Sequence, residues 1–170
     1  MNQKQAKRFI DSICPNVIDV EFCSEKNHCI GWADLRYGFR IFLNTYEIKK
    51  DKYNDTAIKG VILHEMGHIL GGHLKTTPKN ELCAQLFALK VADKLNMVRV
   101  FKRLLLEFSC WGLREWNKAD IKLYKPYYEA YRLFLRDKKL VRRYARKDTK
   151  LGAILLYDLK HPLPRKPKVI

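Results

Sequence analysis

The chain has 170 residues, 34 Lys and Arg against 18 Asp and Glu, and a formal net charge of +16, a size suited to one domain with an appendage. A hydrophobic content of 47% with 12% aromatics excludes a wholly disordered chain. No apolar run approaches the roughly 18 residues of a membrane span, and MNQKQAKRF has no apolar segment behind its charges. Both features predict a soluble cytoplasmic protein without a signal peptide, residing in the host cytoplasm if viral.

In chain order, Gln3 to Cys14 carries apolar residues at Ala6, Phe9, Ile10 and Ile13, a helical spacing that stops before Pro15. Val17–Cys23, Cys29–Leu35 and Phe39–Asn44 read as three short strands, the last two joined at Arg36-Tyr37-Gly38, and together they predict a small antiparallel sheet. Lys49–Asn54 is a polar loop. Asp55 or Thr56 can cap a helix running to about Leu70 and ending at Gly71-Gly72. Thr77 with Pro78 at the first helical position opens a helix to about Leu95. Beyond it the chain reads as helical: Val100 to Phe108, a break at Gly112 flanked by Trp111 and Trp116, and one long piece from Pro126 to about Lys147. Asn117 with Asp120 offers a cap for the segment before Pro126. The fold class is α+β, a domain of small sheet and helices over residues 1–97, a helical basic extension over 98–160 and a basic Pro-rich tail over 161–170.

The five cysteines, at 14, 23, 29, 83 and 110, form no CxxC pair, so neither a disulfide framework nor a four-thiolate zinc site is expected. Reduced thiols fit, with Cys83 and Cys110 packed as small hydrophobes.

Inside the helix ending near Leu70 stands His64-Glu65-Met66-Gly67-His68, an HExxH pattern. Residues four apart differ by only about 40° in direction and about 6 Å in rise, so both imidazoles reach one metal ion. Glu65 points about 100° away, beside the metal, where it can take a proton from a water whose pKa zinc has lowered to about 7. Ile58, Ile62, Met66 and Ile69 supply the apolar flank that anchors such a helix. A catalytic zinc takes three protein ligands and leaves one position open. Two residues compete for third ligand. His73 resembles the last His of the metzincin pattern HExxHxxGxxH but falls one residue early. Glu81 lies in the first turn of the next helix, which an antiparallel return would bring back towards His68.

HEMGHILGGH followed by Glu81-Leu-Cys-Ala84-Gln85-Leu-Phe87-Ala88 resembles the ImmA/IrrE group of zinc metallopeptidases. That group shows a HELGH-type motif, often with a further His, and then a helix reading E-x-x-A-N-x-F-A. Glu81, Ala84, Phe87 and Ala88 match, with Gln85 where Asn is usual. The resemblance covers roughly residues 1–95. It implies Zn2+ as cofactor, His64, His68 and Glu81 as ligands, Glu65 as general base, and no need for His73 on the metal. It also implies a sheet whose last strand, Arg40-Ile-Phe-Leu-Asn44, borders the cleft and pairs with an extended substrate. Tyr46, Tyr53 and His73 are all candidates for oxyanion stabiliser. Members are typical of phages and mobile elements, where the implied substrates are repressors or other regulators.

The charge is unevenly spread. Residues 1–113 hold 17 basic and 12 acidic side chains, net +5, whereas residues 114–170 hold 17 and 6, net +11. Tyr124, Tyr127 or Tyr128, Tyr131, and Phe134 or Leu135 fall at helical spacing and read as core. Arg132, Arg136, Lys139, Arg142, Arg143, Arg146 and Lys147 form a set able to bind a polyanion such as nucleic acid without sequence preference. The function expected is a zinc-dependent endopeptidase acting on a regulatory or partner protein. The alternatives are a protease acting on DNA-bound proteins, and a non-catalytic zincin-shaped binding or inhibitor protein using its basic surface.

Overall fold

The computed structural model describes residues 1–169 apart from Asn27, His28, Tyr37, Arg114 and Asn117. Of Trp116, Lys118, Ala119, Asp120, Lys122, Leu123 and Val169 it describes the backbone alone. The expected Asn117–Asp120 cap, the packing of Trp116 and the Tyr37 turn therefore lie outside the described residues. Among those described the fold is α+β, with eight helices, a small three-stranded mixed sheet and about 61% helix. No described helix is long and apolar enough to cross a membrane. The chain divides into two compact units, Met1–Lys75 with Cys83–Arg103, and Thr76–Leu82 with Leu104–Ile170.

In the first unit α1 (Gln3–Asp11) starts at a capping box. The Asn2 side chain accepts from the Gln5 amide at 2.9 Å, and Gln5 Oε1 accepts from the Asn2 amide at 2.8 Å. Ala6 and Ile10 are its buried face. Strands β1 (Asp19–Cys23), β2 (Gly31–Asp34) and β3 (Arg40–Asn44) lie in the order β1-β3-β2. The antiparallel sheet expected from sequence is corrected here: β2 runs antiparallel to β3, but β1 runs parallel to it, with Asp19 opposite Arg40 and Cys23 opposite Asn44. Ile41 and Leu43 are fully buried, so β3 takes the centre, and the connection at 24–30 carries the chain from one side of it to the other. A short helix, α2 (Thr45–Lys50), occupies part of what read as a loop; Asn44 caps it. Then come α3 (Asp55–Leu70), which packs on β2, and α4 (Pro78–Lys94), which opens at Thr77-Pro78 as its sequence suggests.

The second unit is a helical assembly around aromatic rings. Phe108 of α5 (Val98–Cys110) meets Tyr131, Phe134 and Trp111 at centroid distances of 5.2, 4.8 and 5.1 Å. Tyr128, Tyr131 and Phe134 are essentially fully buried, so the aromatic stripe is core. The single helix expected from Pro126 to Lys147 is instead α6 (Lys118–Arg136), with Pro126 inside it, and α7 (Lys138–Ala145). Asp137 separates them because its carboxylate accepts from the Leu140 amide at 3.0 Å, giving the backbone a cap in place of helix continuation. Asp148 caps α8 (Thr149–Lys160) in the same way, at 2.9 Å from the Leu151 amide. A Cβ on Gly152 would stand 2.1 Å from the Ala145 carbonyl oxygen, so only glycine lets α8 cross α7 this closely. The tail is held down: Tyr128 donates to the Pro164 carbonyl at 2.9 Å, Arg132 donates to that of Arg165 at 3.2 Å, and Leu163 is buried. A two-residue parallel pair joins β4 (Glu115–Trp116) and β5 (Lys168–Val169). All five cysteines are free thiols, and Cys83 and Cys110, expected inside, are exposed because each falls on the outer side of its helix.

Candidate metal centre

Helix α3 is capped one residue earlier than expected. Asn54, in extended backbone, accepts from the Ala57 amide at 3.0 Å, while Asp55 sits in the first turn and pairs with the Met1 ammonium group. Ala57, Ile58, Ile62, Leu63, Met66 and Ile69 are buried, which fixes the helix and leaves His64 and His68 half-buried on one side. Helix α4 meets that side at Gly67: a Cβ there would lie 2.7 Å from the Ala84 Cα and 2.8 Å from its carbonyl oxygen. The motif's glycine thus permits backbone-to-backbone approach. Ala84 and Gln85 follow Glu81 by three and four residues, so all three share the face of α4 that is turned inward, with exposures of 0%, 2% and 1%.

One nitrogen of His64, Nδ1, lies 2.9 Å from Gln85 Oε1. An amide oxygen only accepts, so Nδ1 carries the proton and Nε2 is the basic nitrogen of the neutral ring. That Nε2 is 3.1 Å from Nε2 of His68. Two zinc–nitrogen bonds of about 2.0–2.1 Å at a tetrahedral angle hold their nitrogens about 3.3–3.4 Å apart, close to this spacing. His64, His68 and buried Glu81 each offer a ligand atom within 4.8 Å of one another. Two neutral imidazoles and a carboxylate are the donor set of a catalytic zinc with one open position, so the residues fit the metal.

His73 is absent from this group of ligand atoms, and the reason lies in how α3 ends. The Gly72 amide donates to the Ile69 carbonyl at 3.1 Å and the His73 amide to that of His68 at 2.9 Å, the paired bonds of a Schellman motif. Gly72 takes the left-handed φ of 63° that the motif demands. The turn folds His73 back over His68, where its Nδ1 lies 3.3 Å from Nδ1 of His68. His73 therefore faces the nitrogen of His68 that points away from His64. Were Nε2 of His68 to hold a metal, its Nδ1 would donate and His73 accept. Gln85 and His73 thus stand alike behind the two candidate ligands, each beside the ring nitrogen that faces away.

Glu65 is about nine-tenths buried, next in sequence to His64. Burial first, then the carboxylates of Glu65 and Glu47, push the Cys29 thiol up from its ordinary value, so it stays protonated at neutral pH. Asn44, fully buried, donates to the Glu25 carbonyl at 2.7 Å and accepts from the Glu25 and Tyr46 amides at 3.2 and 3.1 Å. It ties the strand connection to α2. The strand it ends, β3, has neighbours on both sides, so the expectation that this strand takes up a substrate is overturned; of the sheet's edges, β2 is the one against α3. Tyr46 is exposed on α2 with the Lys26 ammonium 5.7 Å above its ring, and the Arg103 guanidinium lies 5.4 Å from the Tyr53 ring. Arg136, Lys139, Arg142, Arg143, Arg146 and Lys147 are exposed and Arg132 half-buried, all on α6, on α7 or just after it. Gln85 is the member that spacing alone did not mark; the signal was its place four residues after Glu81, on the ligand's own helix face.

Compared with protein-family models, with curated proteins and with solved structures, the chain matches none.

Proposed function

We propose that this chain is a zinc-dependent endopeptidase of ImmA/IrrE type, with a minimal zincin-like arrangement, hydrolysing peptide bonds of a regulatory or partner protein. The observation that carries the reading is the convergence of the His64 and His68 Nε2 atoms, 3.1 Å apart, beside buried Glu81. His64, His68 and Glu81 would hold the zinc, which would supply a Lewis acid for the scissile carbonyl and lower the pKa of water to about 7. Glu65 would act as the general base, taking a proton from the attacking water and giving it to the leaving nitrogen. Gln85 and His73 keep both imidazoles in the tautomer that binds metal. The free edge of β2, against α3, is where an extended substrate adds as a strand. Five free thiols fit a reducing cytoplasm. A second reading, a protease acting on proteins bound to nucleic acid, is favoured by the exposed basic face of α7.

The test compares wild type with Glu65→Gln in two measurements. Both proteins should carry one zinc per chain by elemental analysis, and His68→Ala and Glu81→Ala should lose it. New protein termini should appear in lysate incubated with wild type and be absent with Glu65→Gln. Full zinc retention in Glu81→Ala removes that ligand, and identical termini with both proteins reject the peptidase in favour of a binding protein.

A further inference from the structure

Residues 131–170 carry 13 basic and three acidic side chains, and all three acids are engaged internally. Asp137 and Asp148 cap α7 and α8, and Asp158, buried, accepts the Tyr131 hydroxyl at 3.0 Å. Asp137 is itself exposed, and apart from it the exposed charges of α7 are all positive. Helix α7 buries Val141, Tyr144 and Ala145 and turns Lys138, Lys139, Arg142 and Arg143 outward, continued by Arg146 and Lys147. Among the described residues, Lys138, Lys139, Arg142, Arg143 and Arg146 have no ion-pair partner. Their spacing sets like charges four apart, Lys138 with Arg142, Lys139 with Arg143, Arg142 with Arg146 and Arg143 with Lys147. Each such pair opposes the helix it stands on. Gly152 and the Asp137 cap hold α7 in place against this repulsion.

We propose that the outer face of α7 docks on the phosphate backbone of double-stranded nucleic acid without reading its sequence. Its cations run in two rows at steps of about 6 Å, a regular line of point charges suited to a regular line of phosphates. The charged face of α7 exposes no large apolar side chain, whereas protein partners are held chiefly by buried aromatic or aliphatic anchors. This inference is independent of the metal site and stands whether or not the peptidase reading does.

A labelled 20-base-pair duplex of mixed sequence, titrated with the full chain at several salt concentrations, tests it. Five cations give a slope of log K on log salt of about −4.5, so the binding constant falls about 500-fold between 50 and 200 mM salt. The pair Arg142→Glu and Arg146→Glu should weaken binding by more than about tenfold and flatten the slope by about 2; Arg142→Gln with Arg146→Gln should do so to a lesser degree, with circular dichroism unchanged. Lys90→Glu with Lys94→Glu, on α4, makes the same change in net charge and should leave binding within about twofold. Binding that does not respond to salt overturns the proposal. So does equal weakening in the α4 variant, which would make net charge alone responsible, and so does displacement of the duplex by poly-glutamate at equal charge, which would point to an acidic protein.

Discussion

A histidine one residue out of register shows how a backbone turn decides a side chain's chemistry. His73 reaches His68 because the Schellman motif places it over that residue, and its Nδ1 meets the nitrogen that does not face the shared centre. Removing such a partner from a metal-binding imidazole typically weakens metal affinity 10- to 100-fold, so His73→Ala should raise the zinc dissociation constant by about that factor. His73→Asn, which restores an acceptor, should recover part of the loss. The stoichiometry of one metal per chain should stay, and the visible spectrum of the cobalt-substituted protein should report altered ligand geometry. Loss of the metal altogether would make His73 a ligand after all, and an unchanged affinity would leave it without a positioning role. HExxH and the approximate bounds of α3 and α4 were legible from spacing, and Glu81 only as one of two candidates; the place of His73 behind His68 was not, because a pattern of residues does not state the direction in which a capping turn returns.

Among the elements, the contact of α3 with α4 at Gly67 sets the position of two of the site's groups. A Cβ at that position would overlap the Ala84 backbone, which cannot yield as a flexible side chain would. Gly67→Ala should therefore lower stability by about 1–3 kcal/mol in denaturant unfolding and carry Glu81 and Gln85 away from the histidines. Zinc affinity falls with it, and an unchanged affinity would mean that α4 is not placed by this contact. Local signals identified the elements themselves. The strand runs, the Thr77-Pro78 start and the apolar face of α3 are each written within one segment. The order of the strands is not, since β1 pairs with β3, and in parallel, past the intervening β2, a contact between segments distant in sequence. The break at Asp137 was likewise hidden inside a continuous helical period, where one capping carboxylate outweighs the apolar repeat.

At the level of the whole chain, a metal held by His64, His68 and Glu81 would tie α3 to α4, two helices adjacent in sequence. A ligand that binds only the folded state adds stability by mass action, about 4 kcal/mol at a thousandfold excess over its dissociation constant. Zinc should raise the thermal midpoint of wild type, EDTA should lower it, and His64→Ala should respond to neither; equal responses in both proteins would place the metal elsewhere. The partition of charge has its own meaning at this scale. The net charge of +16 is mostly a property of residues 114–170, while the carboxylates and imidazoles of the candidate centre lie in a half that is only mildly basic. One consequence of the turn after α3 reaches beyond this chain. Since Gly71 already stands where the metzincin pattern has its glycine, the length of the link from it to the next histidine acts as a selector. At its present length that histidine lies behind His68 and the carboxylate of Glu81 lies beside the histidine pair; one residue longer, and the spacing becomes that of a three-histidine pattern. The two designs are thus neighbours, separated by a single insertion.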